Sequence, residues 1–221
     1  MQLGTGEIVE MAKRNIHPEH LEITFAYLHS VDAFNWEQMD QQRDLFIEGG
    51  LLTRGEMEGA KNLPDFIRVF REEKERGIHR AYPYDRLWEL YCSYAHGVAD
   101  RFNCRFFIDY LDWEIGLRLS LAAVRVRQEG GNFEDHAILG SFHSRDYSNL
   151  IAQLEAKKNP LEVERHLDEE RLRQIYSMEG VNGFSIDALL AYIARSAIYS
   201  RWEKISEDFD TDSYLWHGGS M

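Results

Sequence analysis

Cysteine is scarce in this 221-residue sequence, with Cys92 and Cys104 the only two. Both fall in a stretch of helical periodicity and read as ordinary buried thiols of a protein kept in a reducing cytoplasm. No apolar run approaches the roughly 20 residues that span a bilayer. The one near Leu121 is interrupted by Arg118, Arg125 and Arg127. The opening MQLGTGEIVEMAKRN lacks the apolar core of a secretory signal, so a cytoplasmic protein is expected. Positive charge is also in short supply: 25 lysines and arginines face 38 acidic residues, a formal charge of −13. A general nucleic-acid binder, whose affinity comes from neutralising phosphates, is therefore disfavoured. Docking on anionic lipid is disfavoured for the same reason. The charge suits solubility and an acidic face for a basic protein partner.

Recognisable catalytic motifs are missing as well. There is no G-x-S-x-G turn, no G-x-x-x-x-G-K-[ST] phosphate loop and no H-E-x-x-H pair. Neither cysteine has a histidine beside it. His29, His96 and His166 each stand alone on an expected helix and read as surface or half-buried side chains. One cluster, Glu134-Asp135-His136 with His143 and Asp146 downstream, admits a metal reading, since imidazole and carboxylate suit several divalent ions. Its spacing matches no tight ligand motif, and an exposed polar loop explains it more simply. No catalytic residue, cofactor or metal is expected; His136, His143 and Asp146 stay as the alternative metal set of a metal-dependent hydrolase.

What the chain does have is helical patterning. Hydrophobic residues make up 44% and aromatics 13%, enough for a substantial core. The fold class expected is all-α, an elongated multi-helix bundle. Pro18 starts the first helix, with Leu21, Phe25 and Leu28 at helical intervals. A second helix is expected over Asn35 to Ile47, stopped by Gly49-Gly50, then a loop holding Thr53, Arg54, Gly55 and Gly59. Phe66, Ile67, Val69 and Phe70 mark a short amphipathic helix ending at Gly77. The proline-free run from Tyr84 to Gln128 makes one or two long helices, with a break near Asn103 and a stop at Gly130-Gly131. A helix is expected over Tyr147 to Lys158. Asn159-Pro160-Leu161-Glu162 caps the next, whose inner side takes Leu161, Val163, Leu167, Leu172, Ile175 and Met178. Ser185 caps the last helix, with Phe184 expected to staple against Leu189.

Arg118 and Arg125 stand two turns apart on one side of a helix and, with Arg127, are candidates for binding acidic groups of a partner. Pairing with Glu114 or Glu129, or plain solvation, is the simpler alternative.

Several blocks together resemble the funnel-shaped adaptor in the central rotor of bacterial and archaeal V-type ATPases, which has a counterpart in the eukaryotic enzyme. The likeness is closer to a shorter, uncharacterised bacterial family related to it. FFIDYLDWEIGLRLSLAAVRVRQEGGNFEDHAILG is similar to that family's central helix and turn, NPLEVERHLDEERLRQIYSMEG to its next block, and FSIDALLAYIARSAIYSRWEKISED to its closing helix. HPEHLEITFAYLHSVDAFNWEQM and LPDFIRVFREEK fit the upstream order. Asp32-Ala33-Phe34-Asn35 echoes Asp109-Tyr110-Leu111-Asp112. The resemblance implies a single all-helical domain over residues 1–208, built of about two pseudo-repeats (approximately 7–82 and 83–208), with 209–221 a loosely ordered tail. It implies a non-catalytic central-stalk adaptor, peripheral on the inner face of the cell membrane. Its partners would be the central shaft and the proteolipid ring, and no nucleic acid. A helical interaction module unrelated to any ATPase is the other reading. The family's arginine-ended helices carry a glutamate and an asparagine before the arginine. The final helix here has Ser196, Ala197 and Ser200 instead, so no family interface residue transfers to it.

Overall fold

A computed structural model describes residues 7, 10, 14, 16–78, 82–130, 146–157 and 159–208. Among them are eight helices and no strand. They are α1 (Pro18–Asp40), α2 (Arg54–Glu58), α3 (Asp65–Glu75), α4 (Pro83–Arg101), α5 (Arg105–Glu129), α6 (Ser148–Glu155), α7 (Pro160–Met178) and α8 (Ile186–Asp208). The fold is all-α, as the periodicity predicts.

The chain's own capping groups fix most boundaries. Asn159 Oδ1 accepts from the backbone N–H groups of Leu161 (2.8 Å) and Glu162 (3.2 Å), which starts α7. Ser185 Oγ accepts from Ala188 N at 3.1 Å at the head of α8. The long run is cut where Asn103 takes a positive φ of 48°, so α4 and α5 are separate helices. Gly130 closes α5 in the left-handed region, at φ 73°.

The head of α5 borrows its cap. Cys104 supplies no side-chain cap there; Asp187 of α8 does, its Oδ1 accepting from Phe106 N at 2.8 Å and from the Cys104 thiol at 3.2 Å. The carboxylate meets unpaired donors at the positive end of the helix dipole and locks α8 to α5.

Helix α4 packs on α1, α3 and α5, while α5 packs on α7 and α8. One core gathers Ile23 of α1, Phe66 of α3, Leu87 of α4, Phe106 of α5, Ile175 of α7 and Leu190 of α8. A smaller cluster joins Trp113 and Leu117 of α5 to Tyr147, Leu154 of α6 and Leu167 of α7. Each such side chain contributes about 1.5–3 kcal/mol by leaving water.

Five expectations need correction. No helix runs from Asn35 to Ile47: α1 continues unbroken through Asn35 to Asp40, and residues 41–53 fold back along it. Asn35 is 1% exposed, its amide donating to Ile47 O (2.8 Å) and accepting from Ile47 N (2.9 Å). Asp32, fully buried, accepts from Leu51 N (3.0 Å) and Leu52 N (3.1 Å) and contacts the His29 ring at 2.7 Å. These side chains satisfy the strap's backbone where a helix would have satisfied it internally. The stretch at Thr53 contains the one-turn helix α2, started by a Thr53–Glu56 capping box. The helix expected to reach Lys158 ends at Glu155. Phe184 does not staple: it is 103% exposed, and Leu161 likewise points outward at 45%.

Candidate functional site

The most unusual chemistry lies inside the bundle, where charged side chains of α5, α7 and α8 form a relay. Asp168 of α7 is 1% exposed. Its Oδ1 accepts from Arg171 Nη1 at 2.9 Å; its Oδ2 accepts from Trp202 Nε1 at 2.9 Å and from the Arg201 guanidinium. Arg171 reaches across to α5 and donates to Glu114 through Nε (3.2 Å) and Nη2 (3.1 Å). Glu114 also accepts from Arg118 Nε at 3.4 Å, one turn further along α5. The Arg118 guanidinium lies 4.2 Å from the centre of the Trp88 ring of α4, and Trp88 Nε1 donates to Glu37 of α1 at 2.7 Å. Five helices are thus joined by one run of charge-assisted contacts.

Burial acts to raise the pKa of Glu114, but the Arg171 and Arg118 guanidiniums outweigh it and hold the carboxyl below its ordinary value. Burial opposes the charge of Arg171, yet Glu114 and Asp168 keep it protonated. Glu114 and Arg171 are therefore both charged at neutral pH. Such a set adds little net stability over an apolar core, but removing one of its buried carboxylates, Glu114 or Asp168, strands buried charge on Arg171 at a cost of about 3–5 kcal/mol.

Beside the relay, between α1, α4 and α5, is a cavity of about 120 Å³. Tyr27, Trp88, Phe107 and Tyr110 are among its walls, with Ser30, Cys92, Glu114 and Arg118 supplying polar atoms. Burial pushes the phenols of Tyr27, Tyr91 and Tyr110 up and the Cys92 thiol to about 12, so all four stay protonated at neutral pH.

The residues singled out from sequence fall in different places. Arg118 is half exposed and takes part in the relay through Glu114. Arg125 and Arg127 are exposed, Arg127 Nε donating to Ala123 O at 3.3 Å. His136 and His143 lie outside the described residues, as does the tail 209–221. Asp146 is exposed and accepts from the Ser148 hydroxyl and from Ser148 N (2.9 Å), contacts that lower its pKa. Among the described residues no group of three or more His, Cys, Asp or Glu side chains could hold a metal ion. Sequence reasoning passed over Asp168, Arg171 and Trp88. The D-x-x-R spacing of Asp168 and Arg171, which puts them on one helix face, was the available signal. Compared with protein-family models, curated proteins and solved structures, the chain matches none.

Proposed function

We propose that the chain is a non-catalytic component of a bacterial V-type ATPase. It works as a central-stalk adaptor between the soluble rotor shaft and the membrane proteolipid ring. The order of its sequence blocks suggests this reading, and the relay from Arg201 through Asp168, Arg171 and Glu114 to Arg118 is the structural observation that supports it. A part that transmits torque has to resist sliding of its helices. Directional, charge-assisted bonds between α5, α7 and α8 oppose such sliding more sharply than apolar contacts, which tolerate small shifts.

No helix among the described residues is long and apolar enough to cross a membrane. In this reading the protein is held at the membrane by partner subunits, the ring among them, and its place is peripheral, on the inner face of the cell membrane. The pumped ion and the ATP chemistry belong to those partners. Exposed Arg125 and Arg127, at the end of α5, are the charges offered to them.

Affinity purification from the native host at low ionic strength tests the reading. Shaft and ring subunits of a V-type ATPase are expected to co-purify. Recovery of the chain with neither, under gentle extraction of the membrane fraction, would refute it.

A further inference from the structure

The cavity between α1, α4 and α5 has an imbalance of hydrogen-bonding groups that specifies a ligand. Its walls are mostly aromatic, and its volume of about 120 Å³ compares with an apolar protein cavity of ~150 Å³ that accepts benzene. The space suits at most a single six-membered ring, with any substituent directed to the open side at Arg118. Arg118, with 46% of its side chain exposed, stands where the cavity meets solvent.

The one carboxylate in the cavity lining, Glu114, is already engaged. Glu114 Oε1 takes Arg118 Nε and Arg171 Nη2, and Glu114 Oε2 takes Arg171 Nε. The other acids of this face are occupied too: Glu37 takes the Trp88 indole N–H, and Glu89 pairs with Arg86 at 2.6 Å. Donors remain. Among the described residues, neither terminal nitrogen of Arg118 makes a hydrogen bond, and neither does the hydroxyl of Tyr27 or Tyr110. Both phenols are kept protonated by burial and so keep their protons to donate. Arg118 is the one cation among the lining residues, and it stands at the cavity mouth with its terminal nitrogens unused. A cationic ligand would meet the Arg118 guanidinium at the mouth and a Glu114 carboxylate already shared by two arginines. A neutral hydrocarbon would leave the donors unmatched.

We propose that this cavity binds a small aromatic monocarboxylate. The terminal nitrogens of Arg118 and the phenolic hydroxyls of Tyr27 and Tyr110 hold its carboxylate, and its ring lies among Tyr27, Phe107 and Tyr110. Arg118 suits the task because its Nε is anchored on Glu114 and its guanidinium carbon lies 4.2 Å from the centre of the Trp88 ring, which leaves the terminal N–H groups to pair with a carboxylate. The proposal stands independently of the rotary-adaptor reading, since it concerns a site inside the chain and not a docking face.

Benzoate titrated into the full-length protein, followed by calorimetry and by the indole N–H resonance of Trp88, tests it. Saturable one-to-one binding with a shift of that resonance is expected. Benzyl alcohol and benzylamine should bind at least about tenfold more weakly. Arg118→Gln is expected to weaken benzoate about tenfold or more, and Tyr110→Phe, which keeps the ring, by a smaller factor. Circular dichroism checks that both variants remain folded; Arg171 still pairs with Glu114 in each. No saturable binding, equal binding of the uncharged alcohol, or undiminished affinity in both folded variants would each overturn the proposal.

Discussion

Asp168 illustrates how much depends on one side chain. Its two oxygens, almost fully buried, receive Arg171, Arg201 and Trp202. Replacing it with alanine leaves two guanidiniums and an indole N–H facing a gap. We expect Asp168→Ala to lower the unfolding free energy by about 3–5 kcal/mol, measured by urea denaturation. Asp168→Leu of similar volume should be as costly, since the stranded arginines, not the lost volume, set the effect. Glu114 makes a complementary prediction in pH. Its folded pKa lies below the unfolded value of about 4.3. The unfolded chain thus binds the proton more readily, so the stability contributed by Glu114 is complete above that value and is lost as pH falls through the folded pKa. In Glu114→Gln the acid limb of the stability curve is expected to flatten. An unchanged limb would show that other carboxylates dominate acid unfolding.

The same residues show, at the level of helices, what a sequence reveals. Elements whose ends carry capping chemistry were legible: α3 between Pro64 and Gly77, α7 after Asn159, α8 after Ser185, and the break at Asn103. Those misjudged depend on polar groups turned inward. Asn35 suits a helix cap in sequence, yet it sits inside α1 and holds the strap at Ile47. Asp32 and Asp168 lie at helical spacing from Leu28 and Leu172, on faces turned inward, and Asp187 opens α8; only long-range partners explain their burial or use. Thr53-x-x-Glu56 was a local capping signal that the neighbouring glycines obscured. The relay was half legible: Glu114 and Arg118 are one turn apart, but nothing local announces Arg171 from α7. Close helix packing also sets opposite outcomes for two glycines. A Cβ on Gly116 of α5 would lie 2.6 Å from the Tyr147 hydroxyl, which donates to Trp113 O at 2.8 Å. Gly97 of α4 is exposed, with nothing within 4 Å of such a Cβ. Gly116→Ala is expected to cost about 1–3 kcal/mol through overpacking, whereas Gly97→Ala should gain about 0.5–1 kcal/mol of helix propensity. Thermal melts of the two variants in parallel should therefore move in opposite directions.

For the molecule as a whole, internal and external arginines need different tests. Arg118 belongs to the relay, so reversing its charge would set two carboxylates against each other and confuse loss of fold with loss of docking. Arg125 and Arg127 stand exposed at the end of α5. Surface substitutions of this kind normally change stability by no more than about 0.5 kcal/mol. The double variant Arg125→Glu, Arg127→Glu is thus expected to melt with the parent protein. If these charges meet acidic groups of the shaft or the ring, the reversal turns attraction into repulsion, and the variant should fail to co-purify with them. Salt gives an independent check, because exposed charges separated by more than about 8 Å are largely screened at physiological ionic strength. Assembly of the parent should weaken steadily as salt rises. Any residual assembly of the variant should instead be indifferent to salt, or improve as the repulsion is screened. Equal recovery of parent and variant across the salt series would remove the end of α5 from the interface while leaving the internal relay as the stiffening element of the bundle.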